Sequence, residues 1–366
     1  MDASRIAQRF PLVARPRPAC PPLPDRIKEI STLAAAAEQH GGPSQAATAL
    51  NKSALIASDC GLPSLARELC WRHAELYLRA QPLGAQEARY ALEPLVNLAR
   101  LRIRDSEGER AYRLLDTLYR AVRDQTDLVL EDHPVSFRNL TATAEDHRTV
   151  CQWLWTVLLG DGTRALVAAN QWDRARAHVV QHKGVGRRLL DGRQVEIVAR
   201  CLGGDTASAR RILDESTLSE AWEHPVAACL AGLCVTSTGG PPEGAIKKMA
   251  AEYLNLSTAP DLAVFRTRIG LTVLDLSSPS IDTAVTQRLL GDALRSGDGY
   301  VARDVLAHRA CTDAMAEGVR RQLVEVVAAA GLADGSLKAD LKRALLVAVE
   351  ASAKTVERRL GVRHRS

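Results

Sequence analysis

Along most of the chain apolar residues recur every three or four positions, the spacing that gathers one face of an α-helix. Leu65, Leu69, His73, Leu76 and Tyr77 form such a stripe behind Pro63, a residue suited to the first helical turn. Leu114, Leu115, Leu118 and Val122 form another. The pattern predicts helices over 26–39, 45–58, 88–103 and 109–122, with Gly41-Gly42-Pro43 breaking the first from the second and Ser44 capping the second. Between Asp124 and Glu145 the helical period stops. There Leu128-Val129-Leu130, then Glu131-Asp132-His133-Pro134, then Val135-Ser136-Phe137 predict a small hairpin or ordered loop. Helices resume at Asp146, with Trp153, Trp155 and Leu158 on the first. Looser pairs follow at 218–235 with 243–254, 263–276 with 281–295, and 300–310 with 314–330. A final amphipathic helix over 337–360 is expected to cap the stack.

The turns carry a second regularity. Asn170-Gln171-Trp172-Asp173-Arg174-Ala175 is followed by Gly204-Asp205-Thr206-Ala207-Ser208-Ala209 at an offset of about 34 residues. In each, a Gly or Asn suits a left-handed turn, an acidic or polar residue suits the cap of the next helix, and Ala permits close packing. The same grammar recurs at 61–66, 108–111, 240–245 and 297–302. A period of about 34 residues is that of tetratricopeptide helix pairs. The chain resembles that repeat superfamily at Leu50, Ser53, Ala54, Ala57, Gly61, Ala66 and Cys70, at Leu166, Asn170, Trp172 and Ala175, and at Gly204, Ala209 and Leu213. The resemblance covers roughly half of the chain with degenerate repeats and fades beyond about residue 235. It implies an all-α solenoid of antiparallel helix pairs, interrupted by the non-helical insertion at 124–145.

The corresponding organisation is a Pro- and Arg-rich arm at 1–24, helical repeats at 25–123, the insertion at 124–145, tetratricopeptide-like repeats at 146–235, further repeats and a capping helix at 236–360, and a basic tail at 361–366. The arm contains too many prolines for a helix. It reads either as a mobile, polyproline-like tail, whose Pro18-x-x-Pro21 and Pro21-x-x-Pro24 spacings could dock an aromatic groove, or as a linker laid across the body.

Composition narrows the function. Aromatics are only 4% of the chain while apolar residues reach 46%, much of it Ala and Leu, a balance suited to helices rather than strands. A net charge of +5, from 48 basic and 43 acidic residues, gives no general pull on nucleic acid. Its excess lies mostly toward the ends, with Arg5, Arg9 and Arg15 at one and Arg363, His364 and Arg365 at the other. The predominance of Arg over Lys suits a GC-rich bacterial genome. Eight scattered cysteines without a CxxC pair suggest reduced thiols, and no apolar run approaches membrane-spanning length, so a cytoplasmic location is expected. The helix at 45–58 offers mainly Asn51 and Lys52 amid Ala and Ser, which argues against a DNA-reading helix.

In the family it resembles, the first helix of each pair lines a concave groove that binds an extended or helical peptide. Carried over by position, that groove would present Asn51 and Lys52, then Glu93, Asn97, Arg100 and Arg104, then Asp161 and Arg164, then Asp191 and Gln194. The spacing of Asn97, Arg100 and Arg104 independently puts them on one helical face. Amides can bond both donor and acceptor of a peptide backbone, and Arg can grip a carboxylate with two parallel bonds. A peptide or protein partner with an acidic group or a free C-terminus is therefore expected, with no cofactor. The alternative for Arg100 and Arg104 is pairing with Glu107 or Glu109 on a solvated face.

Other constellations point elsewhere. Lys183, Gly184, Gly186, Arg187 and Arg188 would hold an anion if they opened a helix, or form an ordinary interhelix turn. Cys70 with His73, His147 with Cys151, and His308 with Cys311 share helix faces, but such pairs alone do not make a metal site. No HExxH, GxSxG or dinucleotide-binding fingerprint is present. The rival to a binding scaffold is an enzyme or enzyme-accessory protein with a small anionic-ligand pocket between the helical halves, with Asp132, His133, Arg187 and Arg188 as its candidate residues.

Overall fold

In the computed structural model, which describes residues 7–236, 243–277 and 282–361, the apolar stripes become helices almost throughout. In chain order these are α1 (Leu23–His40), α2 (Pro43–Asp59), α3 (Pro63–Leu78), α4 (Ala85–Arg104), α5 (Gly108–Arg123), the strands β1 (Asp127–Leu130) and β2 (His133–Ser136), and α6 (Ala144–Val157). A π-helical turn, Leu158–Gly162, leads into α7 (Thr163–Ala168). There follow α8 (Trp172–Gln181), α9 (Asp191–Leu202), α10 (Thr206–Asp214), α11 (Glu223–Thr236), α12 (Glu243–Leu254), α13 (Ala263–Leu276), α14 (Asp282–Ser296), α15 (Gly299–Leu306), α16 (Arg309–Asp313), α17 (Glu317–Ala329) and α18 (Ala339–Leu360). The first six residues with Arg5, the turn at Gly240, and Arg363, His364 and Arg365 of the basic tail lie outside the described residues.

Local signals explain most boundaries. Asn170 and Gly204 take the left-handed conformation their turns require, at φ 56° and 83°. Asp205 and Asp298 cap the helices that follow by accepting backbone N–H bonds. At residue 108 the expectation fails: Gly108 begins α5, and Ser106 makes the left-handed turn instead. Ser44 likewise lies inside the first turn of α2, because Pro43 starts the helix with Gly42 at its cap position.

The chain divides into two compact units, and neither follows the boundaries predicted at 123, 145 and 235. The first comprises Leu23–Ala165 and Gly331–Ser366. In it each helix from α1 to α5 packs on the next, and α18 returns against α1, α2 and α3. The predicted C-terminal cap therefore covers the beginning of the helical series. Its stripe of Leu345, Ala348, Val349, Ala353 and Val356 is buried, and Leu345 and Ala348 join a cluster with Ile27, Ile30, Ala34 and Ile56. The approach to α18 also closes α2, since Ala333 and Gly335 donate backbone N–H bonds to the carbonyls of Asp59 and Cys60, 2.7 and 2.8 Å away.

The insertion of this unit is an antiparallel hairpin with Asp127 opposite Ser136 and Leu130 opposite His133. Glu131 and Asp132 connect the strands with φ of 48° and 70°, the two left-handed residues of a type I′ turn. Neither is glycine, so the turn needs support from its neighbours. Arg102 Nη2 lies 2.5 Å and Arg67 Nε 3.6 Å from the Glu131 carboxylate, and His133 stacks on Trp71 with ring centroids 3.9 Å apart.

The second unit comprises Met1–Pro22 and Leu166–Ala330. Its described N-terminal residues are no mobile tail. Phe10, Leu12 and Cys20 are buried, and the guanidinium of Arg17 lies 4.1 Å from the Tyr300 ring centroid. Gly299 donates its N–H to the Cys20 carbonyl at 2.9 Å. Apolar side chains spaced between the prolines thus give this segment a core of its own to enter.

Candidate functional site

Four helices of the first unit surround a cavity of about 380 Å³. Residues 93, 97, 100 and 104 recur at alternating four- and three-residue steps, which brings Glu93, Asn97, Arg100 and Arg104 to one face of α4. Asn51 and Lys52 face them from α2. All six groove residues predicted from these two helices line this one cavity. Its apolar floor is formed by Ala54, Leu55, Cys70, Val96, Leu101, Trp153 and Val157. Burial pushes the Cys70 thiol up to about 12, so that sulfur is a neutral, apolar wall element.

The polar rim is a continuous hydrogen-bond relay. Asn51 Nδ2 donates to Glu93 Oε2 at 3.0 Å, and Asn97 Nδ2 donates to Asn51 Oδ1 at 3.1 Å. Arg100 Nη1 donates to Asn97 Oδ1 at 2.9 Å, while Arg100 Nη2 reaches Asp161 Oδ2 at 2.8 Å. Arg164, one helical turn beyond, lies 3.2 Å from the other oxygen of Asp161. Asp161 sits in the π-helical turn, a local widening that presents this buried carboxylate to Arg100. Lys52 pairs with Glu29. The predicted alternative of pairing with Glu107 or Glu109 is not what occurs: Glu107 bonds Arg102 and Arg110, and Glu109 lies beside Arg113.

Arg104 differs from Arg100. Its Nη1 donates to Ser58 Oγ and to Asp59 Oδ1, both at 2.8 Å, and among the described residues these are its hydrogen bonds. The Nε–H and Nη2–H edge, the side-on fork that matches a carboxylate, remains available in a half-exposed residue on the cavity wall. Asp59, almost wholly buried, holds Arg104 from one oxygen and Arg26 from the other.

The remaining sequence candidates fall elsewhere. Asp191 and Gln194 belong to the second unit, where both hold the chain's own N-terminal segment. The buried Gln194 amide accepts the Leu12 N–H and donates to the Leu12 carbonyl, each at 2.7 Å, and Asp191 pairs with Arg15. This is the amide-to-backbone bonding expected of a peptide groove, but its occupant is intramolecular. Lys183, Gly184, Gly186, Arg187 and Arg188 do not open a helix, because α9 starts only at Asp191. They form a folded turn in which Arg193 Nη1 donates to the Gly186 carbonyl at 2.9 Å and Arg188 pairs with the buried Glu223. A carboxylate thus already pairs with Arg188, one of the three cations expected to hold an anion. Of the residues in the rival enzymatic reading, Asp132 and His133 serve the hairpin of one unit and Arg187 and Arg188 this turn of the other. Among the described residues no group of three or more His, Cys, Asp and Glu side chains could hold a metal ion.

Ser58, Leu55, Trp153 and Val157 carry no site signal in the sequence, and Cys70 enters there only as a helix-face neighbour of His73. In sequence they are ordinary positions of helical stripes, and only the packing of α6 on α4, across the cavity from α2, leaves them facing a void. No helix among the described residues is long and apolar enough to cross a membrane. Compared with protein-family models, with curated proteins and with solved structures, the chain matches none.

Proposed function

We propose that the first unit is a recognition module for a partner protein, in the manner of the tetratricopeptide-like helical-repeat scaffolds its sequence resembles. The cavity takes an apolar side chain of a partner peptide against Trp153, Leu55 and Val157, while a carboxylate on the same peptide, at a free C-terminus or an acidic side chain, docks on Arg104. The observation carrying this reading is the unengaged edge of the Arg104 guanidinium above an apolar floor of about 380 Å³. That volume lies at the small end of ordinary ligand pockets, suited to one or two side chains rather than a large cofactor. Lys52, Arg100 and Arg104 each already pair with a carboxylate, Glu29, Asp161 and Asp59, so an incoming anion is drawn by the open edge of Arg104 rather than by net charge. The relay from Glu93 to Asp161 fixes the rim before a ligand arrives, which reduces the entropy lost on binding.

The full chain used as bait tests this directly. Replacing Asn97 and Arg100 together by Ala is expected to leave far-UV helicity intact and to cut recovery of the captured partner by about tenfold or more, as loss of a central polar pair in an interface does. Equal recovery by quantitative mass spectrometry, from a variant of unchanged helicity, removes this cavity from consideration.

A further inference from the structure

Cys201 and Cys234 stand apart from the other cysteines of this protein. Cys201 lies in the last turn of α9 and Cys234 in the last turn of α11, and their sulfur atoms are 2.7 Å apart. That is nearer than unbonded heavy atoms ordinarily pack, about 3.5–4.0 Å between carbons, yet beyond the disulfide bond length of about 2.05 Å. Both are free thiols. Elsewhere Cys229 and Cys311 are each buried with no thiol partner of this kind among the described residues, and burial pushes each up to about 12. Cys151 instead has His147 Nε2 at 3.5 Å.

We propose that Cys201 and Cys234 are a reversible oxidation site that a small hydroperoxide converts into a disulfide joining α9 to α11. The reaction balances in two steps. The Cys234 thiolate attacks one peroxide oxygen, the O–O bond breaks, and hydroxide leaves, giving a sulfenic acid. The Cys201 sulfur then attacks the Cys234 sulfur. The S–O bond breaks, the S–S bond forms, and the Cys201 proton leaves with the hydroxyl as water. Two thiols are oxidised by two electrons; the proton that Cys234 released on becoming a thiolate joins the hydroxide, so hydrogen peroxide, the smallest hydroperoxide, ends as two waters. Either sulfur can be the donor in this pair, and the Cys234 thiol, the one beside Arg210, is the one held below the usual range by that pairing, so Cys234 is assigned as the attacking residue. Both residues are buried, which restricts the first step to a small oxidant and favours the adjacent sulfur over any external thiol for the second.

The test uses the full chain treated with hydrogen peroxide, alkylated under denaturing conditions and digested. The expected result is a linked peptide pair containing Cys201 and Cys234, a loss of about 2 Da for the intact protein, and recovery of both thiols with dithiothreitol. The oxidised form should melt about 5 °C or more above the reduced form, because the bond closes a loop of more than thirty residues in the unfolded chain. C201S and C234S should each abolish the linked pair. Should either variant fail to fold, the peptide map of the wild-type protein decides alone. Finding both residues alkylated after treatment overturns the proposal. So does finding Cys234 taken on to the sulfinic acid while Cys201 stays free, or either residue joined to a different cysteine.

Discussion

Replacing Asp59 by Ala is expected to cost about 3–5 kcal/mol of folding stability, the range for removing one partner of a buried ion pair. Arg26 and Asp59 are both nearly enclosed, with side-chain exposures of 9% and 2%. Without the carboxylate, Arg26 Nη2 would keep its charge inside the protein and lose its principal counter-ion. Arg104, at 37% exposure, can turn toward water and suffers less. Urea denaturation of the two proteins at neutral pH measures the difference. Asp59→Asn retains the shape and one acceptor, so its loss should be smaller than that of the Ala variant. An Ala variant within 1 kcal/mol of wild type contradicts the account of α1 being held to α2 through this pair.

His73 predicts the second large effect, and it depends on pH. Its imidazole is buried, among the described residues neither ring nitrogen has a hydrogen-bond partner, and burial lowers its pKa from 6.5 to about 3. The folded protein therefore keeps His73 neutral where the unfolded chain protonates it. This contribution to stability is complete above about pH 6.5 and falls by about 1.4 kcal/mol per pH unit between there and about pH 3. Carboxylates titrate in the lower part of the same range, so the comparison needs a matched variant. His73→Phe keeps a ring beside Tyr77, whose centroid is 5.7 Å away, and removes two unsatisfied polar atoms. It should be more stable than wild type at pH 7 by about 1–3 kcal/mol. Between pH 6.5 and 5 wild type should lose about 2 kcal/mol more than the variant. Parallel losses in the two proteins would mean that His73 reaches water or a partner when the protein acidifies.

Helices announced themselves wherever one face had to be apolar for reasons local to the segment. The stripe from Leu65 to Tyr77 became α3, and the loss of period after Asp124 became the hairpin, because an alternating run around Glu131-Asp132 cannot serve a helix. Three polar residues of α4, Asn97, Arg100 and Arg104, were legible as one helical face for the same reason, while Glu93 came from the family resemblance alone. What stayed hidden depends on contacts distant in sequence. The stripe of α18 says that it needs an apolar partner but not that the partner is α1, more than three hundred residues earlier. Gln194 carried the right chemistry for grasping a backbone, and nothing near it indicated that Leu12 supplies that backbone. Trp153 and Val157 have the spacing of core residues, so their exposure to a cavity emerges only from tertiary packing.

The central claim is that the Arg104 edge and the apolar floor together hold an anionic peptide. Its most direct measurement is selection of a random peptide library with free C-termini on the purified full chain, followed by titration of the enriched peptides by fluorescence polarisation. Arg104→Lys serves as the comparison because it keeps the charge near Asp59 and loses the fork. The expected result is enrichment of peptides pairing a large apolar residue with a carboxylate, with affinity reduced by about tenfold or more in Arg104→Lys, and in Trp153→Ala. Enriched peptides that bind wild type, Arg104→Lys and Trp153→Ala equally well would contradict it.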